Sequence, residues 1–472
     1  MKRLKKWTAV TMLIAVLACT LTACSKEKKP ENGQQDTNQN DTAQNNNSNT
    51  DNNQAANGKG RVYYLNFKPE VADVWEKIAA EYTKETGVPV KVVTAASGEY
   101  EKTLKSEMAK KEAPTLFHIN GPVGYQTWKD YTMDLKDTNL YSWLNTPDLA
   151  ISEDGGVFGV PFVVEGYGII YNDDIMQKYF ALTDKAVDIT SVDQINNFAT
   201  LKAVAEDMTA KKDQLGIKGV FASTSFSAGN DWRWQTHLMN LPMYYEFKES
   251  GNKNPDTIAF TYNENFKNIF DLYLNNSLTA PEALGSKSVD DSMGEFARGE
   301  AAMVQNGNWG WSEVQKAEGN TVKEENIKFL PIYIGADGEE KQGLCIGTEN
   351  FLSVNSQASA DDQKASIAFM EWVFSSDKGK EFVSKDLGFI TPFTTFEDAE
   401  KPVDPLAREV DRYMKNTDLY TVTWDFTAFP SQEFKNMLGA DLLSYAQGNL
   451  KWEELVKNTT QNWADEKEMS AQ

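Results

Sequence analysis

After its first sixty residues the chain alternates strand and helix patterns, and this alternation limits the folds that it can adopt. A buried-strand run at Val62–Leu65 is followed by a helix whose apolar positions recur every three or four residues and which ends at Gly87. A strand at Val88–Val93, a helix at Tyr100–Lys111 and a strand at Thr115–Ile119 continue the series. This β-α-β-α-β order predicts an α/β fold with a mostly parallel sheet and helices on its faces.

A second block of the same character predicts a second α/β lobe. It contains a strand at Gly168–Asn172 and helices at Leu201–Lys212 and Phe266–Asn275. Later in the chain, a strand at Phe351–Val354 and a helix at Asp361–Phe374 resemble the first block again. Because the chain returns to the first kind of block, we expect more than one crossing between the two lobes.

The first sixty residues indicate export. Basic residues lead into the apolar run Trp7–Leu17, which is shorter than the roughly 20 apolar residues that a bilayer core requires and is typical of a secretion signal. The stretch Ser25–Lys59 is almost entirely polar and has no aromatic residue. It cannot bury enough surface to offset its ordering entropy, so it is expected to be a flexible tether.

Length, charge and cysteine content limit what kind of protein this is. The 472 residues allow two or three domains, and a hydrophobic fraction of 40% is enough for a substantial core. The net charge is −22, and it becomes −26 once the four positive side chains of the signal are removed, so nucleic acid is repelled. Beyond the signal only Cys24 and Cys345 remain, and Cys345 is expected in a buried strand.

Two segments, Asn230–Gln235 and Asn306–Trp311, alternate aromatic and hydrogen-bonding side chains. A pyranose ring offers an apolar face for stacking and an edge of hydroxyls that each need a donor and an acceptor. The two segments therefore predict a saccharide site that includes Trp309. Trp311, two residues later, is expected in the core.

Several motifs occur in the same order as in one known family, and they are Tyr82–Val88, Pro114–Phe117, Val160–Glu165, Ile169–Asn172, Phe296–Met303 and Asn306–Trp311. Over most of residues 61–463 the chain resembles the extracellular solute-binding proteins of carbohydrate ABC transporters, the family that includes maltose-binding protein. The resemblance implies a two-lobe periplasmic-binding-protein-like fold with a hinge and a ligand cleft between the lobes. The implied division places residues 61–164 and 346–395 in lobe 1, and 165–345 and 396–472 in lobe 2.

The resemblance also implies roles for single residues. Trp309 supplies a stacking platform, and Glu165 and Asn120 bond sugar hydroxyls. The charge-assisted bonds of the Glu165 carboxylate are roughly twice as strong as neutral ones. Glu165 as a solvated hinge carboxylate and Trp424 as a lobe-packing residue remain open alternatives. The complete set of expected ligand-binding residues is Lys68, Glu70, Asn120, Glu165, Asp231, Trp232, Trp234, Asn308, Trp309, Glu349 and Trp424. Maltose specificity does not carry over, because the loop at Asn120–Gly121 lacks the acidic residue and the arginine of maltose-binding protein.

The end of the signal resembles a bacterial lipobox. Leu21–Cys24 followed by Ser25 implies that residues 1–23 are a lipoprotein signal peptide, that Cys24 is lipidated, and that 24–60 is a disordered polar tether. Cys24 has a better small-residue context than the overlapping candidate at Cys19. The expected location is the extracellular face of the cell membrane, and the alternative is ordinary secretion with a free Cys24 thiol.

The expected function is to capture a carbohydrate, specifically an oligosaccharide, and to deliver it to an ABC permease. The protein is expected to act as a monomer and to need no cofactor or metal. Ligand binding is expected to close the lobes about crossings near Glu165, Gly347 and residues 395–405. His118 and His237 are the only histidines, lie in no recognisable catalytic motif, and are expected to have no ligand role.

The alternative is a secreted glycoside-active lipoprotein enzyme. Glu165, Asp231, Glu349 and Asp425 offer carboxylates for such an enzyme. A glycosidase pair needs a separation of roughly 5–5.5 or 6.5–9.5 Å. A tethered adhesive protein is a third hypothesis, but the chain lacks the repeats expected of one.

Overall fold

A computed structural model describes residues 58–96 and 98–470. The predicted signal peptide, Cys24 and residues 24–57 of the predicted tether lie outside the described residues. The strands are β1 Val62–Asn66, β2 Val90–Thr94, β3 Leu116–Asn120, β4 Ile151–Glu153, β5 Gly156–Pro161, β6 Glu165–Asn172, β7 Gly219–Phe221, β8 Ala301–Gly307, β9 Ile327–Leu330, β10 Gln342–Gly347, β11 Asn350–Val354 and β12 Tyr420–Val422.

The α-helices are α1 Ala72–Thr86, α2 Tyr100–Met108, α3 Gly121–Trp128, α4 Asn139–Ser142, α5 Asp173–Phe180, α6 Phe198–Ala210, α7 Lys212–Leu215, α8 Asn240–Ser250, α9 Asn263–Asn275, α10 Val289–Ala297, α11 Gly310–Lys316, α12 Ala360–Ser375, α13 Asp377–Glu381, α14 Pro405–Lys415, α15 Gln432–Ala446 and α16 Trp452–Ser470. The π-helical turns are Arg233–Leu238 and Phe382–Asp386. The 3-10 turns are Pro69–Val71, Lys129–Tyr131, Pro147–Leu149, Val192–Gln194, Pro281–Ser286, Glu324–Asn326, Glu339–Lys341, Asp398–Glu400 and Asp425–Ala428.

Helix α1 forms as its apolar spacing predicts. Val74, Trp75, Ile78 and Tyr82 are buried along one face. Gly87 ends the helix with a φ of 72°, and its N–H donates to the carbonyl of Thr83 at 2.9 Å. This left-handed conformation favours glycine because it has no Cβ.

The sheet of the first lobe has the strand order β2-β1-β3-β11-β5-β4. Strand β1 pairs in parallel with β2 and β3, whereas β11 is antiparallel to both β3 and β5, and β4 is antiparallel to β5. The prediction of a mostly parallel sheet is therefore wrong for its outer half. Strands β4 and β5 form a hairpin, and β11 enters directly from the second lobe without a crossover helix, so neither is constrained to run parallel.

The sheet of the second lobe is built around β6, and all eight residues of this strand are buried. The strand order is β12-β10-β6-β8-β7, with β9 also paired to β6. Strand β6 is antiparallel to β8, β9 and β10, while β7 pairs in parallel with β8 and β12 with β10. Cys345 lies buried in β10, as predicted for a strand residue.

The chain passes between the sheets where β5 leads into β6 and where β10 leads into β11. A further connection follows the bridge between Val164 and Ile390 and leads to α14, whose Leu406 and Val410 pack against Ile346 on the second sheet. Two α/β lobes with a cleft between them are thus confirmed. None of the described helices is long and apolar enough to cross a bilayer.

Candidate ligand-binding site

A cavity of about 810 Å³ lies between the lobes. The first lobe lines it with segments that follow β1, β2 and β3, which agrees with the rule that ligands bind at the carboxyl ends of strands. The second lobe contributes the turn Arg233–Leu238 with α10, α11 and α15. The volume lies toward the upper end of the roughly 300–1,000 Å³ typical of pockets that enclose a small molecule.

Nine of the eleven predicted ligand-binding residues, all within the described part of the chain, line this cavity, and they are Lys68, Glu70, Asn120, Glu165, Asp231, Trp232, Trp309, Glu349 and Trp424. The structure therefore gathers into one space residues that are more than 350 positions apart in the chain. Their contact with a ligand remains a prediction.

Trp234, predicted as a ligand contact, does not line the cavity and is buried in the core. Its side chain is 2% exposed, packs edge-on against Tyr273 with the ring centroids 5.2 Å apart, and donates from Nε1 to the carbonyl of Ser225 at 3.2 Å. The segment is helical, and residues two positions apart on a helix point to nearly opposite sides. Trp232 therefore faces the cavity and Trp234 faces the core.

Asn308 is also absent from the wall of the large cavity. It is 4% exposed and exchanges two hydrogen bonds with Gly166 of β6: its Oδ1 accepts from Gly166 N at 2.9 Å, and its backbone N–H donates to Gly166 O at 3.0 Å. Asn308 borders a second cavity of about 180 Å³, which Trp309 also lines. Its amide oxygen fixes the start of the Trp309 segment to β6, and its contact with a ligand remains a prediction.

An aromatic wall, defined as Trp232, His237, Trp309 and Trp424, covers the second-lobe side of the cavity. The ring of Trp309 lies 6.1 Å from that of Trp232, inclined by 52°, and His237 lies 5.7 Å from Trp309 and 6.0 Å from Trp424. Trp309 is partly exposed, whereas Trp424 is 6% exposed. Trp311 packs in the core with Val314, as predicted.

Glycines lie beneath both predicted platforms. A Cβ built on Gly307 would be 2.2 Å from Cη2 and Cζ3 of Trp309, and one built on Gly347 would be 2.6 Å from Cγ of Trp424. Real atoms do not approach so closely, so each indole lies where it does because its neighbour has no side chain. The positions of the two platforms therefore depend on Gly307 and Gly347 as well as on the tryptophans.

A buried ion pair joins the lobes beside Trp309. Lys68 Nζ donates to Glu165 Oε1 at 2.7 Å and lies 3.5 Å from Glu70 Oε1. Burial alone would lower the pKa of Lys68, but the carboxylates of Glu165 and Glu70 outweigh it and raise that pKa above its usual value. The ammonium also lies 5.6 Å from the centroid of the Trp309 ring, within the range of a cation–π contact.

The rest of the cavity wall is polar and carries an excess of carboxyl groups. Among its described residues, seven carboxyl side chains face three lysines, and they are Glu70, Glu101, Glu165, Asp231, Asp290, Glu313 and Glu349 against Lys68, Lys316 and Lys435. Burial, reinforced by the nearby Glu70, raises the pKa of Glu313 to about 8, so this carboxyl is mostly neutral at pH 7. Burial likewise raises the pKa of Asp231 and lowers the pKa of Lys435.

Several lining residues, including His237, Glu313 and Lys435, were not predicted from the sequence. Each lies on a helix or helical turn, and only the packing of the lobes turns it toward the cavity. No sequence pattern indicated His237, because it is five positions from Trp232 and only the π-helical turn between them brings the two rings to 5.1 Å. π-Helical turns occur frequently at functional sites.

Three of the four carboxylates considered for a glycosidase, Glu165, Asp231 and Glu349, line the cavity. Asp425 is not part of the cavity wall; its Oδ1 accepts from Thr423 Oγ1 at 2.8 Å and lies 3.3 Å from Lys253 Nζ. Glu349 accepts from Asn120 Nδ2 at 2.8 Å, and Glu165 is paired with Lys68. Among the described residues no group of histidine, cysteine, aspartate or glutamate side chains is arranged to hold a metal ion.

The lobes touch beside the cavity. Lys316 Nζ on α11 donates to the carbonyl of Glu70 at 3.1 Å. A Cβ built on Gly98 in the first lobe would be 2.6 Å from the carbonyl oxygen of Gly229 in the second, so the two backbones are in contact. Both glycines have positive φ angles, 72° and 75°.

Residues 77–409 match a family model described as "Bacterial extracellular solute-binding protein". Among individual proteins, the maltodextrin-binding protein MdxE of Bacillus subtilis (strain 168) is 24% identical over 209 residues. That alignment covers 44% of this chain and 44% of MdxE, so the chain matches less than half the length of this relative.

Solved structures share the fold over most of the chain. A chitin oligosaccharide binding protein superposes with a TM-score of 0.66 at 18% identity, covering 87% of this chain and 98% of its own. The GacH receptor of Streptomyces glaucescens gives a TM-score of 0.63 at 19% identity, covering 87% and 99%. At these identities the likeness establishes the two-lobe fold.

Proposed function

Since this chain belongs to the bacterial extracellular solute-binding proteins, we propose that it captures a carbohydrate, an oligosaccharide, in the cavity between its lobes and delivers it to an ABC permease. The observation that carries the proposal is the aromatic wall facing polar side chains from the other lobe across a cavity of about 810 Å³. Indole faces stack on the C–H face of a pyranose. The opposing carboxylates accept hydrogen bonds from its hydroxyls, and the opposing amides both donate to them and accept from them.

Named relatives support the saccharide class. Structures with the same fold include RafE in complex with raffinose and a sugar transporter protein of Bacillus licheniformis in complex with stachyose, with TM-scores of 0.64 and 0.63. Both of these ligands are oligosaccharides without charge. The size of the present cavity fits a ligand of more than one ring.

We propose that the ligand acts by shifting the balance between an open and a closed arrangement of the lobes. A sugar that contacts both walls has extra affinity for the closed arrangement, and only such differential affinity can move the equilibrium. The hinge is proposed near Glu165, Gly347 and residues 395–405, with lobe 1 at 61–164 and 346–395 and lobe 2 at 165–345 and 396–472. The closed form of the monomer would then be the form that the permease recognises.

The protein is proposed to bind its saccharide without cleaving it, and to need no cofactor. Two of the cavity carboxylates considered for a glycosidase, Glu165 and Glu349, are engaged by Lys68 and Asn120, as expected of groups that position a ligand. A secreted glycoside-active enzyme is the competing function.

One experiment distinguishes these functions. Purified protein is titrated in a calorimeter with maltotriose, raffinose, stachyose, xylotriose and chitotriose, and each mixture is then analysed by chromatography. Saturable binding of one saccharide that is recovered at its original length supports the receptor. Shortened products would establish the enzyme, and the absence of binding by every saccharide would overturn the proposed function.

We also propose that the protein is anchored by lipid on Cys24 at the extracellular face of the cell membrane, after removal of residues 1–23. Each buried acyl methylene contributes roughly 0.8 kcal/mol, so several chains hold a protein at a membrane without a spanning helix. Incorporation of labelled fatty acid into the wild type, but not into Cys24→Ala, is the expected result. A wild type that stays unlabelled would exclude the anchor.

A further inference from the structure

His237 lies in the aromatic wall without a hydrogen-bond partner for its ring. The residue is 4% exposed and lines the cavity. Its backbone carbonyl accepts from Tyr167 Oη at 3.0 Å, but no side chain or backbone group of residues 58–96 and 98–470 pairs with its ring nitrogens. Buried polar groups are normally paired with protein or with something bound, so the unpaired imidazole requires an explanation.

The other histidine provides the contrast. His118 lies in β3 with its Nε2 2.7 Å from Tyr64 Oη, and its Nδ1 is sealed in the core. The ring nitrogens of His237 are not sealed in this way. Because the residue lines the cavity, these nitrogens are accessible to a molecule bound there.

Surrounding rings fix the orientation of the His237 imidazole. It stacks face to face on Tyr167 with the centroids 4.2 Å apart and the planes inclined by 5°. Trp232 packs edge-on at 5.1 Å, and Phe426 lies 5.4 Å away. A group held in this way loses little further freedom when it forms a hydrogen bond to a ligand.

The turn that carries His237 is itself anchored. Arg233 at its start is fully buried and donates to the carbonyl of Gln305 at 2.9 Å and to Ser292 Oγ at 2.7 Å. Gln305 Nε2 returns a bond to the carbonyl of Arg233 at 2.7 Å. The imidazole is therefore supported by the central sheet of the second lobe through β8.

The imidazole is neutral at physiological pH. Burial, reinforced by the positive charges of Lys435 and Arg233, lowers the pKa of His237 to about 3. A neutral imidazole has one N–H donor and one acceptor nitrogen. A hydroxyl group has the complementary pair of functions.

We propose that His237 is a specificity-determining residue of the saccharide site, whose ring nitrogen hydrogen-bonds one hydroxyl of the sugar ring that stacks in the aromatic wall. This inference rests on the proposed function, because it names a contact within the same site. A site that bonds a particular hydroxyl rejects analogues that lack it, so His237 would discriminate between sugars that stack equally well.

The first test uses the fact that the chain has only two histidines. Protein labelled with ¹⁵N-histidine gives ring-nitrogen NMR signals from His237 and His118 alone. The wild type is titrated with the member of the oligosaccharide panel that binds most tightly. Saturation is expected to shift a ring nitrogen of His237 and to leave those of His118 in place.

The second test separates the hydrogen bond from the packing of the ring. His237→Phe keeps an aromatic ring against Tyr167 and removes both nitrogens, whereas His237→Gln and His237→Asn place amides near the positions of Nε2 and Nδ1. We expect the Phe variant to bind about 3- to 10-fold more weakly, as for one lost neutral hydrogen bond, and one of the two amide variants to recover binding. Thermal unfolding of all three is recorded in parallel.

The outcomes are distinct. If a saccharide binds while the His237 nitrogens do not shift and the Phe variant binds as tightly as the wild type, the inference fails and the proposed function stands. Equal losses in all three variants with a lower unfolding temperature would show a purely structural role and would also overturn the inference. If no panel saccharide binds the wild type, the proposed function itself has failed.

Discussion

Gly307→Ala is expected to disable the stacking platform without altering any side chain that contacts the ligand. The added Cβ would lie 2.2 Å from two atoms of the Trp309 ring. Carbon atoms in favourable contact are about 3.5–4.0 Å apart, so the indole must move by at least about 1.3 Å. The cavity is the open space beside Trp309, and an indole that moves into it occupies the place of the sugar.

The expected loss of affinity follows from the stacking that is displaced. Burial of an aromatic face and its stacking together contribute roughly 1–3 kcal/mol, which corresponds to a dissociation constant raised about 5- to 150-fold. Stability should change little, because the partly exposed indole relieves the clash by moving into the cavity. Overpacking of a closed core, by comparison, typically costs about 1–3 kcal/mol.

Calorimetric titration of Gly307→Ala with the best-binding saccharide measures the effect, and thermal unfolding checks the fold. Gly285→Ala is the matched control. Gly285 lies in the same lobe but outside the cavity wall, and a Cβ there would meet only Leu443 Cδ2 at an ordinary 3.5 Å. Wild-type affinity in Gly307→Ala would refute the reasoning, because it would mean that the position of the indole does not determine binding.

Other substitutions have equally definite expectations. Trp309→Ala should weaken saccharide binding by roughly 1–3 kcal/mol in calorimetry and leave the fold intact. Trp234→Ala should instead lower the free energy of unfolding, measured with denaturant, by about 3–5 kcal/mol, because it empties a core position. Lys68→Met should destabilise the protein by about 3–5 kcal/mol at pH 7, because it leaves the carboxylate of Glu165 buried without its counter-ion. The double variant that adds Glu165→Gln should recover most of that loss. No recovery would contradict the pairing of Lys68 with Glu165. Glu313→Gln should raise the unfolding temperature at pH 9 but not at pH 4. The pKa of Glu313 is about 8 in the folded protein, and its ordinary value is 4.5. The free energy of unfolding of the wild type should therefore fall as the pH rises from 4.5 to 8, by up to about 5 kcal/mol. Equal effects of that substitution at both pH values would show that Glu313 is not a buried neutral acid.

Local patterns were sufficient to predict the parts of the fold that local interactions determine. The helix α1 was predicted from apolar spacing and from Gly87, because the spacing alone defines the face that packs on the sheet. The antiparallel pairing of β11 with β3 and β5 was not predicted. Its partners β3 and β5 lie about 190 to 240 residues away in the chain, and no local pattern specifies that pairing.

The candidate site shows the same division. Trp309 was predicted because small and polar neighbours surround it, Trp424 was predicted with lobe packing as an open alternative, and both line the cavity. The alternation in Asn230–Gln235 could not separate Trp232 from Trp234, because only the helical turn that forms there points the two side chains in opposite directions. His237 was dismissed because an isolated histidine carries no motif, and only the fold places it among three tryptophans.

A crystal structure of the wild-type protein, soaked or grown with the oligosaccharide that binds most tightly in calorimetry, would show whether a saccharide binds between the lobes on the indole of Trp309. We expect an intact saccharide in the cavity of about 810 Å³, with one pyranose ring stacked on Trp309 and hydroxyls bonded by side chains of both lobes. A saccharide bound elsewhere on the protein, with the indole of Trp309 free of it, would show that Trp309 is not part of the binding site.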